Sequence, residues 1–272
     1  MSKPCLRFRA LRFLAASALA LSGHAQAFVV DGDLSDWGLH RAGMASDWTP
    51  SAAIRYFTVE DQTGSGNYYL SPGWGGQAYD AEALYLSWDS SHLYLALVTG
   101  LNPATPTDPA RNSYGPGDFA LDFGKDGSFE FGIETTGANA GKVYSVGQWD
   151  YGLWDAGGGY INSTHKAADP LHPTSIRTGT QVGSGKLVYT GVGVNNMGLK
   201  PTDLHYFIEA AIPLSSFLGY LDRELDVHWT MNCANDSIKV DPLIGSVPEP
   251  GSLALLSLGL TGLLALRRLL SA

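Results

Sequence analysis

Ala83-Leu-Tyr-Leu-Ser-Trp88 and His92-Leu-Tyr-Leu-Ala-Leu-Val98, joined by Asp89-Ser-Ser91, decide the fold of this chain. Side chains alternate across an extended strand, so Leu84, Leu86 and Trp88 share one face, and Leu93, Leu95 and Leu97 share one face of the partner. A tight polar connector between two such runs predicts an antiparallel hairpin. Upstream, Phe28-Val-Val30 reads as a short strand entering an Asp31-Gly32-Asp33 turn, with Trp37 returning to the core. Ile54–Glu60 alternates like a strand, and Asn67–Leu70 is a further extended piece. Downstream, strands are expected at Asp118–Phe123, Phe129–Ile133, Lys142–Val146, Lys186–Thr190, Tyr206–Ile212, Leu225–Met231 and Ser237–Val240. Asp126-Gly127 supplies hairpin turn chemistry, and Pro213 is placed to start one helical turn through Phe217.

Between these runs lie glycine and proline breaks. Residues 101–117 hold four prolines and form a long excursion, expected at the rim of the fold. Ser71–Gln77, with Trp74, is loop, because its proline and glycines fit no regular element. Gln148–Tyr160 is rich in aromatic residues and glycine. The body keeps no apolar spacing of 3.6 residues over three turns and contains no internal repeat. About a dozen short strands with Gly/Pro turns predict an all-β chain, an antiparallel two-sheet β-sandwich of jelly-roll type, with a hydrophobic helix at the C-terminus.

The two ends read as addresses. Lys3, Arg7, Arg9 and Arg12 precede the short apolar run Phe13–Leu21, and Ala25-Gln26-Ala27 fits a small-x-small cleavage site. Residues 1–27 are therefore expected to be a signal peptide for the Sec translocon, with cleavage after Ala27 and Ala25 as its other small residue. At the other end, Pro248-Glu249-Pro250 interrupts regular structure before an uncharged apolar run from Ser252 to Leu266, followed by Arg267-Arg268. As a helix that run rises about 22 Å, and Leu269 and Leu270 with snorkelling arginines bring it close to a ~30 Å hydrocarbon core. The arginine pair is expected to stay cytoplasmic. Pro-Glu-Pro, apolar helix and basic pair in this order resemble the PEP-CTERM sorting signal of Gram-negative bacteria. The resemblance implies recognition by the membrane-embedded exosortase and delivery to the cell surface or extracellular matrix, with the tail as a membrane anchor before processing. Residues 28–246 remain as one β-sandwich domain, and 247–272 as the sorting signal.

The chain carries 17 basic and 26 acidic residues. Six of the bases and one acid lie in the two end segments, leaving eleven bases against twenty-five acids in the body, a net charge of −14. Such a surface repels nucleic acid and anionic lipid and attracts divalent cations. Cys5 falls in the signal peptide, so Cys233 has no partner for an intramolecular disulfide and reads as a small buried apolar residue.

Asp31-Gly32-Asp33 with Asp36-Trp37, and the hairpin Leu84–Leu97, resemble family 9 carbohydrate-binding modules and the related DOMON-like sandwiches. That resemblance implies a β-sandwich that grips a sugar between aromatic rings. Asp80-Ala-Glu82-Ala83 and Trp229–Asp236 resemble segments that recur in PEP-CTERM surface proteins of unassigned role. Pyranose recognition needs flat rings for the apolar face and carboxylates or amides for the hydroxyls. Trp74, Trp149, Tyr151, Trp154 and Asp155, with Tyr160, Gln148 and Asp150, are the candidates; the alternative is that the rings plug the ends of the sandwich. Trp37, Trp88 and Trp229 occupy strand-like positions and are expected in the core. Asp31, Asp33 and Asp36 place three carboxylates within six residues, a candidate structural Ca²⁺ site, and Asp122, Asp126 and Glu130 form a second cluster.

Catalytic signatures are absent from the sequence: no Gly-x-Ser-x-Gly elbow, His-Glu-x-x-His, phosphate-binding glycine loop or Cys-x-x-Cys occurs. The histidines at 92, 165, 172, 205 and 228 are not spaced as metal ligands, and His228 with Met231 would point to opposite faces of a strand. The expectation is an exported, non-catalytic surface or matrix protein that binds polysaccharide. The alternatives are a purely structural surface protein packed through calcium and, third, a polysaccharide hydrolase.

Overall fold

A computed structural model describes residues 28–39, 48–60, 75–106, 114–161, 168–191, 193–195 and 204–241. The leader, the tail with its helix, Trp74 and the strand expected at Asn67–Leu70 lie outside the described residues.

The chain is all-β and builds two antiparallel sheets. The five-stranded sheet takes β1 (Tyr56–Val59), β2 (Ala81–Trp88), β3 (His92–Thr99), β9 (Tyr206–Pro213) and β8 (Lys186–Tyr189), in that spatial order. The six-stranded sheet runs β11 (Ser237–Val240), β10 (Leu225–Thr230), β4 (Phe119–Phe123), β5 (Phe131–Ile133), β6 (Lys142–Tyr151) and β7 (Pro173–Ser184). The hairpin expected over residues 83–98 forms as β2–β3, with Leu84 opposite Leu97, Leu86 opposite Leu95 and Trp88 opposite Leu93. Its connector is held by Asp89, whose Oδ1 accepts from the amides of Ser91 and His92 at 2.6 and 2.8 Å. Those leucines meet Phe119, Leu121, Phe123, Leu225, Val227 and Trp229 from the other sheet in one continuous core. Each fully buried leucine there contributes about 1.5–3 kcal/mol. Pro213 caps a 3₁₀ turn over Leu214–Phe217, as expected.

The outer face of the five-stranded sheet is covered as well. Leu34, Trp37, Leu39, Trp48 and Ile54 pack on Ala83, Tyr85, Tyr94, Ala96, Val98 and Phe207. Phe28–Val30 is not a strand; it leads into a 3₁₀ turn over Leu34–Trp37 that lies on this face. Glu209 of β9, 1% exposed, fastens the segment by accepting from the amides of Asp31 (3.1 Å) and Gly32 (2.6 Å) and from Trp37 Nε1 (3.0 Å).

β6 is longer than its sequence suggests, and β7 was not expected at all. Pro173–Ser184 is polar and exposed over most of its length, so it carries no apolar alternation to read. The β6–β7 register breaks at four places. Such bulges bend a hairpin, and the far half of this one folds over the outer face of its own sheet. There Trp149 and Ile176 close on Gly132, where an added Cβ would meet each at 2.7 Å. Trp149 and Tyr151 thus belong to a strand, not to a glycine-rich loop as expected.

Candidate functional site

The bent hairpin carries residues 152–161 to the Met231–Asp236 connection between β10 and β11, and this connection organises one end of the sandwich. Ala234 adopts φ +52°, a left-handed conformation disfavoured for a residue with a Cβ, and its amide donates to Met231 O at 2.8 Å. Around this turn, Leu153 N donates to Cys233 O (3.1 Å), Asn232 N to Gly115 O (2.9 Å) and Ala81 N to Asp236 Oδ2 (2.7 Å). Segments distant in sequence therefore converge on Trp229–Asp236. Cys233 is fully buried, and burial pushes its thiol up to about 12, so it is protonated and unreactive at neutral pH.

Two aromatic pairs stand at this end. Trp154 and Tyr160 pair edge to face at 5.6 Å, and Trp154 Nε1 donates to Asn235 Oδ1 at 3.2 Å. Tyr79 and Tyr114 pair similarly at 5.9 Å, with Tyr114 36% exposed. Burial raises the Tyr114 hydroxyl, and Tyr160 and Cys233 add to the effect. Of the residues expected from sequence, Trp154 is half-buried and Tyr151 is exposed at 39%. Trp149 is 9% exposed and donates from Nε1 to Phe129 O, so its ring serves the outer face of the sheet. Asp155 is 5% exposed, and its Oδ1 accepts from the amides of Gly157 (2.8 Å) and Gly159 (3.0 Å), shaping the loop that presents Trp154. Asp150 forms an ion pair with Arg177 at 2.9 Å. Tyr79, Tyr114 and Asn235 were not singled out from sequence; the recurring segments beside them, Asp80–Ala83 and Trp229–Asp236, were the available signal.

Following Tyr79 in the chain, Asp80 belongs to a buried acidic group. Asp80, Glu82 and Asp236 are each no more than 1% exposed, and Glu60 stands beside them at the end of β1. Glu82 meets His205, also buried, at 2.8 Å, and Gln77 Nε2 donates to Glu82 as well. Asp236 accepts from Ala81 N and Ser237 N, both at 2.7 Å. The two carboxylate oxygens of Asp80 are buried and accept no hydrogen bond. Burial, then the charges of Glu82, Asp236 and Glu60, hold Asp80 far above the usual carboxylate range.

Among the described residues, triads of acids with oxygens within 4.8 Å of one another occur at Glu60–Asp80–Asp236 and at Asp122–Asp126–Glu130. Asp31, Asp33 and Asp36 form no such triad: they accept from Asp33 N, Ser35 N and Val29 N at 2.8, 3.1 and 2.7 Å, and so shape the N-terminal turn. In the second triad, Asp122 accepts from the Asp126 and Gly127 amides and Glu130 from Phe123 N, which is hairpin scaffolding. His172 and His228, 56 residues apart, come within 3.3 Å under the folded-over hairpin. Burial pushes His228 down to about 3, so it stays neutral.

A separate groove of about 310 Å³ lies at the far end of β2, lined by Ala53, Arg55, Tyr56, Leu86, Ser87 and Trp88. Tyr56 and Trp88 stack there at 5.1 Å and 12°. Trp88, expected in the core, packs against its edge half-buried and also lines this groove.

Residues 246–268 match the PEP-CTERM protein-sorting motif, which indicates an exported protein sorted by exosortase in a Gram-negative envelope. None of the curated proteins compared matches the chain. No helix among the described residues is long and apolar enough to cross a membrane.

Proposed function

We propose that this exosortase-sorted protein is a non-catalytic component of the cell surface or extracellular matrix whose sandwich body binds polysaccharide. The observation that carries this reading is a pair of aromatic couples at one end of the fold, Trp154–Tyr160 held by Asn235 and Tyr79–Tyr114. Rings offer faces and edges to the apolar side of a pyranose, and the amide and phenol groups offer partners for its hydroxyls. The resemblance of the N-terminal Asp-Gly-Asp…Asp-Trp run to carbohydrate-binding modules supports the same class of ligand. The charge of −14 favours neutral glycans, or acidic ones bridged by a divalent cation.

The test is retention of the full chain, in mild detergent, on immobilised polysaccharide from the producing cell's matrix. Trp154→Ala and Tyr114→Ala are expected to weaken retention about tenfold each, the equivalent of ~1.4 kcal/mol, while Trp88→Ala in the separate groove leaves it unchanged. Retention that survives both end-surface substitutions but falls with Trp88→Ala would move the site to the groove. No retention on any matrix polysaccharide would leave a purely structural surface protein.

A further inference from the structure

We propose that Glu60, Asp80 and Asp236 hold a calcium ion that clasps the two sheets together. The three carboxylates bring oxygens within 4.8 Å of one another from separate parts of the chain: the end of β1, the start of β2 and the start of β11. β1 and β2 belong to the five-stranded sheet and β11 to the six-stranded one. An ion at this point therefore closes the edge where the sheets meet, which Thr58 Oγ1 already bridges by donating to Lys239 O at 2.6 Å.

Asp80 is the residue that calls for a ligand. It is 1% exposed, and neither of its side-chain oxygens receives a hydrogen bond. A buried carboxylate without donors is strongly disfavoured unless a counter-charge or a proton reaches it. The neighbouring imidazole, His205, is engaged by Glu82 at 2.8 Å. Two resolutions remain: a proton shared between Asp80 and Asp236, or a metal cation. The amides of Ala81 and Ser237 point at the two oxygens of Asp236 and favour its ionised form, so a shared proton would sit on Asp80; the third carboxylate, Glu60, with its oxygen in the same group, is what favours a cation over that proton. An all-oxygen set of carboxylates suits a hard divalent ion, and Ca²⁺, with six to eight flexible ligands, tolerates contributions from backbone carbonyls and water better than Mg²⁺ does. Export brings the body to a compartment where extracellular modules bind calcium at about 10⁻⁴–10⁻³ M. The ion site stands whether or not the aromatic surface binds a glycan.

Terbium luminescence excited through tryptophan, displaced by calcium, tests the site on the full chain in mild detergent, alongside melting curves in calcium and in chelator. The wild type is expected to bind terbium and to melt about 5–10 °C higher when calcium is ~100-fold above its dissociation constant. Asp80→Asn is expected to lose at least tenfold in terbium affinity and most of the thermal shift, whereas Asp126→Asn in the other acidic triad retains both. If Asp80→Asn binds terbium like the wild type, the assignment is overturned. It is equally overturned if the wild type shows no shift and Asp80→Asn melts higher than it, the signature of a shared proton. Should Asp80→Asn not fold, the wild type decides alone: metal content near one calcium per chain and a lower melting point in chelator support the site, and the absence of both effects refutes it.

Discussion

Glu209 holds the N-terminal segment against the outer face of the five-stranded sheet, and its titration should be visible in the stability of the whole body. Its carboxyl is buried, and burial raises it to about 7 from an ordinary 4.5. The amides of Gly32 and Asp31 and the indole of Trp37 pull the other way without cancelling the effect. A carboxyl raised in the folded state favours folding while it is protonated. Its contribution is complete below about pH 4.5, declines as pH rises and is gone above about 7. A displacement of this size corresponds to roughly 3 kcal/mol. Other buried acids titrate in the same window, so the informative quantity is the difference in unfolding free energy between the wild type and Glu209→Gln, which removes this one titration. Denaturant unfolding at half-unit intervals from pH 4 to 8.5, with the full chain in mild detergent, measures it. The difference should fall by roughly 3 kcal/mol across the window, because only the wild type loses stability through Glu209. A difference that rises with pH would mean that the three donors hold Glu209 ionised, and would refute the balance between burial and hydrogen bonding argued here.

Two further outcomes follow from the packing. Gly132→Ala should destabilise the protein by about 1–3 kcal/mol, since its Cβ would press into Ile176 and Trp149, and calorimetry with and without the substitution checks it. Cys233 should resist alkylation in the native protein and react at the rate of unfolding; rapid labelling under native conditions would contradict its buried, protonated state.

The β2–β3 hairpin was legible because alternation every two residues survives in any strand with one face in a core, and the leucines at 84, 86, 93, 95 and 97 meet as that rule requires. β7 was illegible for the complementary reason: Pro173–Ser184 buries little, so its extended form rests on ladder hydrogen bonds to β6 rather than on side chains. Trp149 was read as a loop aromatic because Gln148–Tyr160 is rich in glycine. The strand continues through it because its ring has Gly132 to cover, a partner 17 positions earlier that no local pattern announces. Asp31, Asp33 and Asp36 looked like metal ligands from their spacing, yet closeness along a chain is also what a turn needs to satisfy its own amides.

By itself, the order of residues determined the sorting motif at 246–268, the all-strand character of the body and the inward face of its central hairpin, because each depends on neighbours within about ten positions. Tertiary structure alone decided that Glu60, Asp80 and Asp236 meet and that His172 reaches His228. It also paired Tyr79 with Tyr114, and seated Trp154 on Asn235 from 81 positions away. These juxtapositions come from how two sheets stack and where a bulged hairpin bends, which are properties of the assembled chain and not of any segment in it.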